Sequence, residues 1–331
     1  MAACWLGAWG VAARADEPRE FVERGSVLEV TEENDWFAGT DRHYTQGARM
    51  VYLGAEHSQP HWLKDFAAWG LRVDAWRSGF QFGQLFFTPE NLLARERLPN
   101  DVPYSGWLYA GPILQRRGVM TSLGVPVLET FQLQAGIIGP GALGEEVQNT
   151  AHFFGSSETA QGWSNQLHDE PGLAAKYQRT WRVAPSGPHD WSAEVLPHLG
   201  GSVGNVDTSL RGGVTLRVGW RIPDDFGVWT IDGTGVADGG HSVAVQNNRH
   251  GAYAFIRAEE RYVGYNEFLN GNLFYNSQRV TIRRDVGDLQ GGFVLVTPRL
   301  DLAFTMDFRT RDFFGQDNAD LFGSISLRMK F

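Results

Sequence analysis

Cysteine is almost missing from this chain: the single one among 331 residues is Cys4. An intramolecular disulfide is therefore excluded, and rigidity has to come from the fold itself. No run of 18 apolar residues occurs, which excludes a membrane-spanning helix but leaves a membrane-spanning barrel open. Basic residues do not gather into a patch, and the net charge of -9 is spread along the chain, which argues against a nucleic-acid partner. Catalytic signatures are missing too. There is no G-x-S-x-G elbow around Ser156 and Ser157, no H-E-x-x-H among the nine histidines, and no helix behind the glycines of residues 232–235 to make a phosphate cradle.

What is present is glycine and aromatic residue in quantity. Forty Gly, 12 Trp and 21 Phe with a mean hydropathy of -0.29 describe a Gly-punctuated, aromatic β protein. Residues 1–15, MAACWLGAWGVAARA, are apolar and small and end in Ala13-Arg14-Ala15, an A-x-A cleavage pattern. They are expected to form an export leader, with residues 16–331 as the mature chain. Cys4 falls inside the leader, so the exported protein would contain no cysteine.

Beyond residue 25 the pattern alternates with period two and predicts about twelve strands. They are expected near residues 26–32, 44–53, 79–87, 106–115, 127–136, 172–182, 191–200, 209–220, 251–262, 288–296, 300–308 and 321–331, with a further run at 276–283. Residues 300–308, LDLAFTMDF, alternate cleanly between Asp301, Ala303, Thr305, Asp307 and Leu300, Leu302, Phe304, Met306, Phe308. A soluble sandwich alternates as well. The terminal Phe331, the leader, the missing cysteines and the unequal loops favour an all-β, antiparallel transmembrane β-barrel with a short helix in a long external loop.

An even strand count puts both termini on the periplasmic side, so the connections after strands one, three and five open outward. They hold residues 34–43, 88–105 and 137–171, and every segment that looks chemical lies in them. The first, with Glu32-Glu33-Asn34-Asp35 ahead of Asp41-Arg42-His43-Tyr44-Thr45-Gln46, supplies the mixed carboxylate, amide and hydroxyl oxygens that a hard cation such as Ca²⁺ takes. Alone, it reads more simply as a solvated hairpin with Asx turns. In the third, residues 144–154 suit a short helix with Val147, Ala151 and Phe154 on one face, and His152 shares a face with Gln148. A lone helical His is more often structural; this one gains weight from the oxygen-rich loop opposite, and Glu158 is placed to return a carboxylate to the same area.

Several separated segments, taken together, carry a resemblance. Glu33-Asn34-Asp35, Asp41 to Gly47, Thr88-Pro89, Pro103-Tyr104-Ser105-Gly106-Trp107, and Gly139-Pro140 through Gly144-Glu145-Glu146-Val147-Gln148-Asn149-Thr150-Ala151-His152 with Glu158, Trp163 and Gln166 occur in order along the mature chain. In these the chain resembles the outer-membrane lipid A 3'-O-deacylase family. The resemblance implies a twelve-stranded outer-membrane barrel and a calcium-dependent esterase that removes the 3'-linked acyloxyacyl chain of lipid A, the lipid of lipopolysaccharide in the outer leaflet. It further implies His152 as catalytic base with Asn34 and Asp35, and Asp35, Thr45 and Glu158 as the Ca²⁺ site. The family's basic residue before the Pro-Tyr pair is Val102 here, with Arg95 and Arg97 in the same loop as stand-ins for contact with a lipid A phosphate. Two other classes fit the composition: an outer-membrane phospholipase-type esterase, and a non-catalytic barrel acting as a channel or adhesin.

Overall fold

Alternating sequences of this kind close on themselves. The computed structural model describes residues 25–40, 42–56, 62–65, 70–155, 159–183, 190–227, 231 and 250–331, and the expected leader lies outside them. Twelve antiparallel strands form one closed barrel. They are β1 Val27–Asn34, β2 His43–Leu53, β3 Leu71–Thr88, β4 Ser105–Met120, β5 Val125–Ile138, β6 Glu170–Trp181, β7 Trp191–Gly204, β8 Asp207–Trp220, β9 Gly251–Asn266, β11 Asp285–Val296, β12 Leu300–Arg309 and β14 Asp320–Lys330. The first and last strands seal the wall, with Val27 opposite Lys330 and Asn34 opposite Gly323, so the start of β1 and the end of β14 lie at one face.

The period-two pattern sorts the side chains as the hydropathy demands. Along β12, Asp301, Ala303, Thr305, Asp307 and Arg309 are buried toward the lumen, while Leu300, Leu302 and Phe308 are exposed on the outer surface. Charges that share the lumen are compensated across strands and along them. Glu259 meets His198 at 2.7 Å, Arg211 at 3.0 Å and Arg257 at 2.5 Å, and Asp288 bridges Arg261 and Arg309 at 3.0 and 2.6 Å. Low dielectric makes an uncompensated charge costly there, so these pairs fix one another's place.

β3 and β4 run further than their alternation indicates, to Leu71 and Met120. A bulge between Val73 and Ala75 interrupts the period at the start of β3, and Arg116 breaks the apolar face of β4. Of the run at 276–283, only β10 Thr281–Ile282 is strand, and it pairs with β13 Phe313–Phe314 outside the barrel. Loop lengths are also less one-sided than expected, because residues 54–70 and 221–250 connect strands at the face of the termini. Part of the latter connection turns back into the lumen. Asp225 accepts from Arg217, Phe226 is buried, and Ile231 donates its N–H to Glu33 while its carbonyl accepts from Tyr44 at 3.2 Å. Side chains and this connection fill the middle of the barrel, as a small barrel requires.

At the opposite, outward face stand residues 35–40, 42, 89–104, 139–155, 159–169, 267–284 and 310–319, with a tight turn at residues 205–206. The three segments singled out from sequence do share this rim. The helix in the longest, α2 Gly144–Gly155, begins with Glu145 and Glu146, whose charge suits its positive N-terminal end.

Candidate functional site at the outward rim

The first strand delivers Asn34 to the rim, where its extended backbone ends β1 and its Oδ1 accepts from the Trp36 N–H at 2.7 Å, capping the short 3-10 turn Asp35–Ala38. Asp35 follows inside that turn and is buried, and its Oδ2 accepts from the Arg42 N–H at 2.5 Å. The carboxylate thus ties the two ends of the hairpin together. Gly39 at φ 75 permits the reversal between them.

Thr45 owes its direction to a bulge. The β2–β3 register shifts between Tyr44 and Gln46, so Thr45 is the extra residue, turned out of the lumen series and onto Thr88, with 2.7 Å between the two hydroxyl oxygens. Both are buried. Tyr44 turns the other way and donates to Glu33 at 2.8 Å. One bulge therefore separates a lumen pair, Tyr44 and Glu33, from a rim pair, Thr45 and Thr88. Asn34 lies opposite Gln46 in the adjacent ladder, which brings it, Asp35 and Thr45 to one end of β1 and β2.

His43 is the feature that pattern reading passed over. It holds a left-handed backbone at φ 58, unusual away from glycine, and its ring is buried. Its Nδ1 lies 2.7 Å from Asp320 and its Nε2 3.5 Å from Asp101. Gln316 donates to Asp320 at 2.9 Å. One imidazole thereby fastens the 89–104 segment and the end of the barrel's last strand to the first hairpin.

The long loop docks on the outer surface of the wall beside this hairpin. Gly106 has Ala142 at close range, Gln84 donates to the Ala142 carbonyl at 2.6 Å, and Gly144 packs on Phe86 and Trp163. Within α2, Gln148 is buried and its Oε1 accepts from the Trp163 indole at 2.8 Å. His152 lies one turn further along the same helix. Its side chain, and Glu158 altogether, lie outside the described residues. Asn149 Oδ1 and Gln166 Oε1 are buried with no hydrogen-bond partner among the described residues.

The second and third rim segments interlock. Gln161 donates its N–H to the Leu92 carbonyl at 2.8 Å, Tyr104 donates to the same carbonyl at 3.1 Å, and Asn165 donates to the Arg95 carbonyl at 2.7 Å. Arg95 and Arg97 are exposed. Val102 is only 3% exposed, in an apolar cluster with Leu269, Val280 and Phe313, so its place suits no solvated cation. Among the described residues no three His, Asp or Glu side chains stand together as a metal cage. The oxygens of Asn34, Asp35 and Thr45 are nonetheless the hard donors that Ca²⁺ takes.

Comparison with known proteins bears on this arrangement. The sequence model of the family described as outer membrane protein LpxR matches residues 1–331. Among solved structures, LpxR from Salmonella typhimurium matches at 21% identity with a TM-score of 0.72, covering 92% of this chain and 100% of that one. The beta domain of the Bordetella autotransporter BrkA matches at 12% identity and a TM-score of 0.42, covering 93% and 99%. None of the curated proteins matches this chain.

Proposed function

We propose, from the premise that this chain belongs to the LpxR family of outer membrane proteins, that it is a lipid A deacylase of the bacterial outer membrane, an ester hydrolase acting at the outer leaflet. The observation that carries this reading is the convergence on one rim of Asn34, Asp35 and Thr45 with the helix of His152, which docks against the outer face of the wall where a lipid approaches.

His152 is the general base. In its neutral form it takes a proton from water as the water attacks the ester carbonyl, and it returns that proton to the leaving alkoxide. No acyl-enzyme forms, which agrees with a sequence that has no nucleophile elbow. Asp35, Thr45 and Glu158 are the residues that would hold Ca²⁺, which when bound supplies positive charge where the oxyanion develops. Asn34 and Asp35 fix the hairpin end through the Trp36 and Arg42 N–H groups and so keep those oxygens in place. Arg95 and Arg97, exposed on the interlocked loop, are the basic side chains offered to a lipid A phosphate. The bond cut is the ester of the 3'-linked acyloxyacyl chain.

Mass spectrometry of lipid A from cells carrying the protein, set against cells carrying His152→Ala, tests this. Loss of one acyloxyacyl unit with the intact protein alone is the expected result. Unchanged lipid A from a folded barrel supplied with Ca²⁺ would overturn it and favour a phospholipase-type or non-catalytic barrel.

A further inference from the structure

Strand parity puts Glu32 on the outer, lipid-facing side of β1, in line with Val30 and Asn34, while Thr31 and Glu33 are buried toward the lumen. The register sets Ile325 of β14 on one side of it and Ala48 of β2 on the other. One step further into the membrane, Val30, Met50 and Phe82 make an exposed apolar row across β1, β2 and β3. Glu32 therefore stands where the apolar band gives way to the rim, one step inward of Asn34. An ionisable side chain beside lipid is costly, and its place there asks for a partner.

Near the face of the termini, the outer surface matches its charges within the protein. Glu129 accepts from Arg116 and from Tyr177, each at 2.7 Å, and from Arg179, and Arg116 reaches on to the Lys64 carbonyl of α1 Trp62–Asp65 at 3.4 Å. Glu32 has no such company. Its Oε1 accepts from the Gln46 amide at 2.6 Å, and among the described residues it forms no ion pair. Its Oε2 and the Gln46 Oε1 are left with no partner among those residues, and both side chains are half-buried on the outer surface.

Beside the pair, Ala48 leaves room. On its far side Gln84 of β3 takes the next position in the same row and donates to the Ala142 carbonyl of the docked loop. A furrow floored by Ala48 thus runs inward from Asn34 and Thr45, with Glu32 on one side and Gln84 under the docked loop on the other. Two strand spacings, ~10 Å, separate its sides.

A lipid whose ester is held at Asn34, Asp35 and Thr45 sends its chains inward along this furrow, past Glu32. An acyloxyacyl chain is a hydroxyacyl chain esterified at its own hydroxyl, so a lipid built on such chains carries a free hydroxyl wherever that second ester is absent. The hydroxyl lies on the third carbon, inward of the carbonyl. Amide groups on the sugar sit at the level of the ester itself, and plain acyl chains offer nothing polar further in. We propose that Glu32, held by Gln46, accepts a hydrogen bond from the 3-hydroxyl of a hydroxyacyl chain lying beside the one that is cut, and so selects lipids built on hydroxyacyl chains. This rests on the deacylase reading of the rim and adds to it a residue that chooses the substrate.

Native mass spectrometry of the full chain in the His152→Ala background, where bound lipid is not consumed, tests the proposal. Two lipids compete: lipid A, and an analogue with the same sugars and phosphates whose unbranched chains carry hydrogen in place of the 3-hydroxyl. Lipid A is expected to bind about tenfold more tightly, the size of a hydrogen bond to a charged group. Glu32→Leu should bind the two equally, and leucine suits the lipid-facing surface, so the barrel is retained. Glu32→Gln, which keeps an acceptor oxygen without the charge, should keep a smaller preference. Equal binding of the two lipids with Glu32 present, or a preference that survives Glu32→Leu, would overturn it, as would a Glu32→Leu variant that weakens both lipids alike. Because binding is read rather than turnover, such a result leaves the deacylase reading standing; the lipid A of intact cells decides that.

Discussion

The wall and the outward rim of this barrel obey different rules. In the wall, register decides each side chain's neighbours, so Glu259 must meet Arg211 from the adjacent strand, and Arg257 two residues before it on its own, once the ladder has formed. At the rim, neighbours come from segments far apart in sequence. His43, Asp101 and Asp320 meet only because three segments dock, and the period-two rule fails there at the Thr45 bulge and at the left-handed His43 and Leu143. The contrast teaches that departures from alternation mark where the barrel is shaped for something other than closing itself.

If the rim carries the chemistry and the wall only supports it, substitutions should separate activity from stability. His152→Ala is expected to lower deacylation by about two to four orders of magnitude, the usual range for a general base, with the barrel's heat-modifiable migration unchanged. Turnover close to wild type in that folded variant would remove His152 from the mechanism. In the wall the expectation reverses. Glu259→Ala leaves Arg211, Arg257 and His198 facing one another without their carboxylate and should cost about 3–5 kcal/mol in denaturant unfolding, with activity per folded molecule retained.

These differences also explain what could be read in advance. The strands were legible because each carries its own alternation, as residues 300–308 do, and twelve of them close into one barrel. Asn34, Asp35 and Thr45 were legible as oxygen donors, although not why Thr45 leaves the lumen series; that depends on a one-residue bulge no local pattern announces. The His43 network was illegible because its partners lie 58 and 277 positions away by number, and neither aspartate sits in a motif. The cluster around Glu129 was hidden for a related reason. Arg116, Glu129 and Arg179 break the apolar face of three separate strands, and only the register makes them one cluster.

A milder test of the rim is to loosen it without touching the reacting groups. His43→Ala removes the bridge between Asp101 and Asp320. Limited proteolysis should then cut the 89–104 segment faster than in wild type, while the wall stays resistant. Cleavage at the wild-type rate would mean that the interlock with residues 161–167 and the Gln278 bonds to the Leu98 and Asp101 carbonyls hold that segment without His43.

The last expectation concerns pH. Glu267, in the one-turn helix α3 Glu267–Asn270 of a rim loop, is buried beside Glu170, whose carboxylate oxygens accept from the Leu273 and Phe274 N–H groups at 3.0 and 3.2 Å. Burial first, and then the neighbouring Glu170, push the Glu267 carboxyl up from its ordinary 4.5 to about 9. The folded chain therefore keeps this proton where the unfolded chain has released it. Folding loses stability from this group as pH rises above 4.5, and the loss is complete near 9. Glutamine has the same shape and no proton to lose. Glu267→Gln should unfold at the same temperature as wild type at pH 4 and at a progressively higher one between pH 5 and 9. A difference that stays constant over that range would mean that Glu267 is already ionised in the folded rim, with Glu170 and Glu267 held apart rather than sharing a proton.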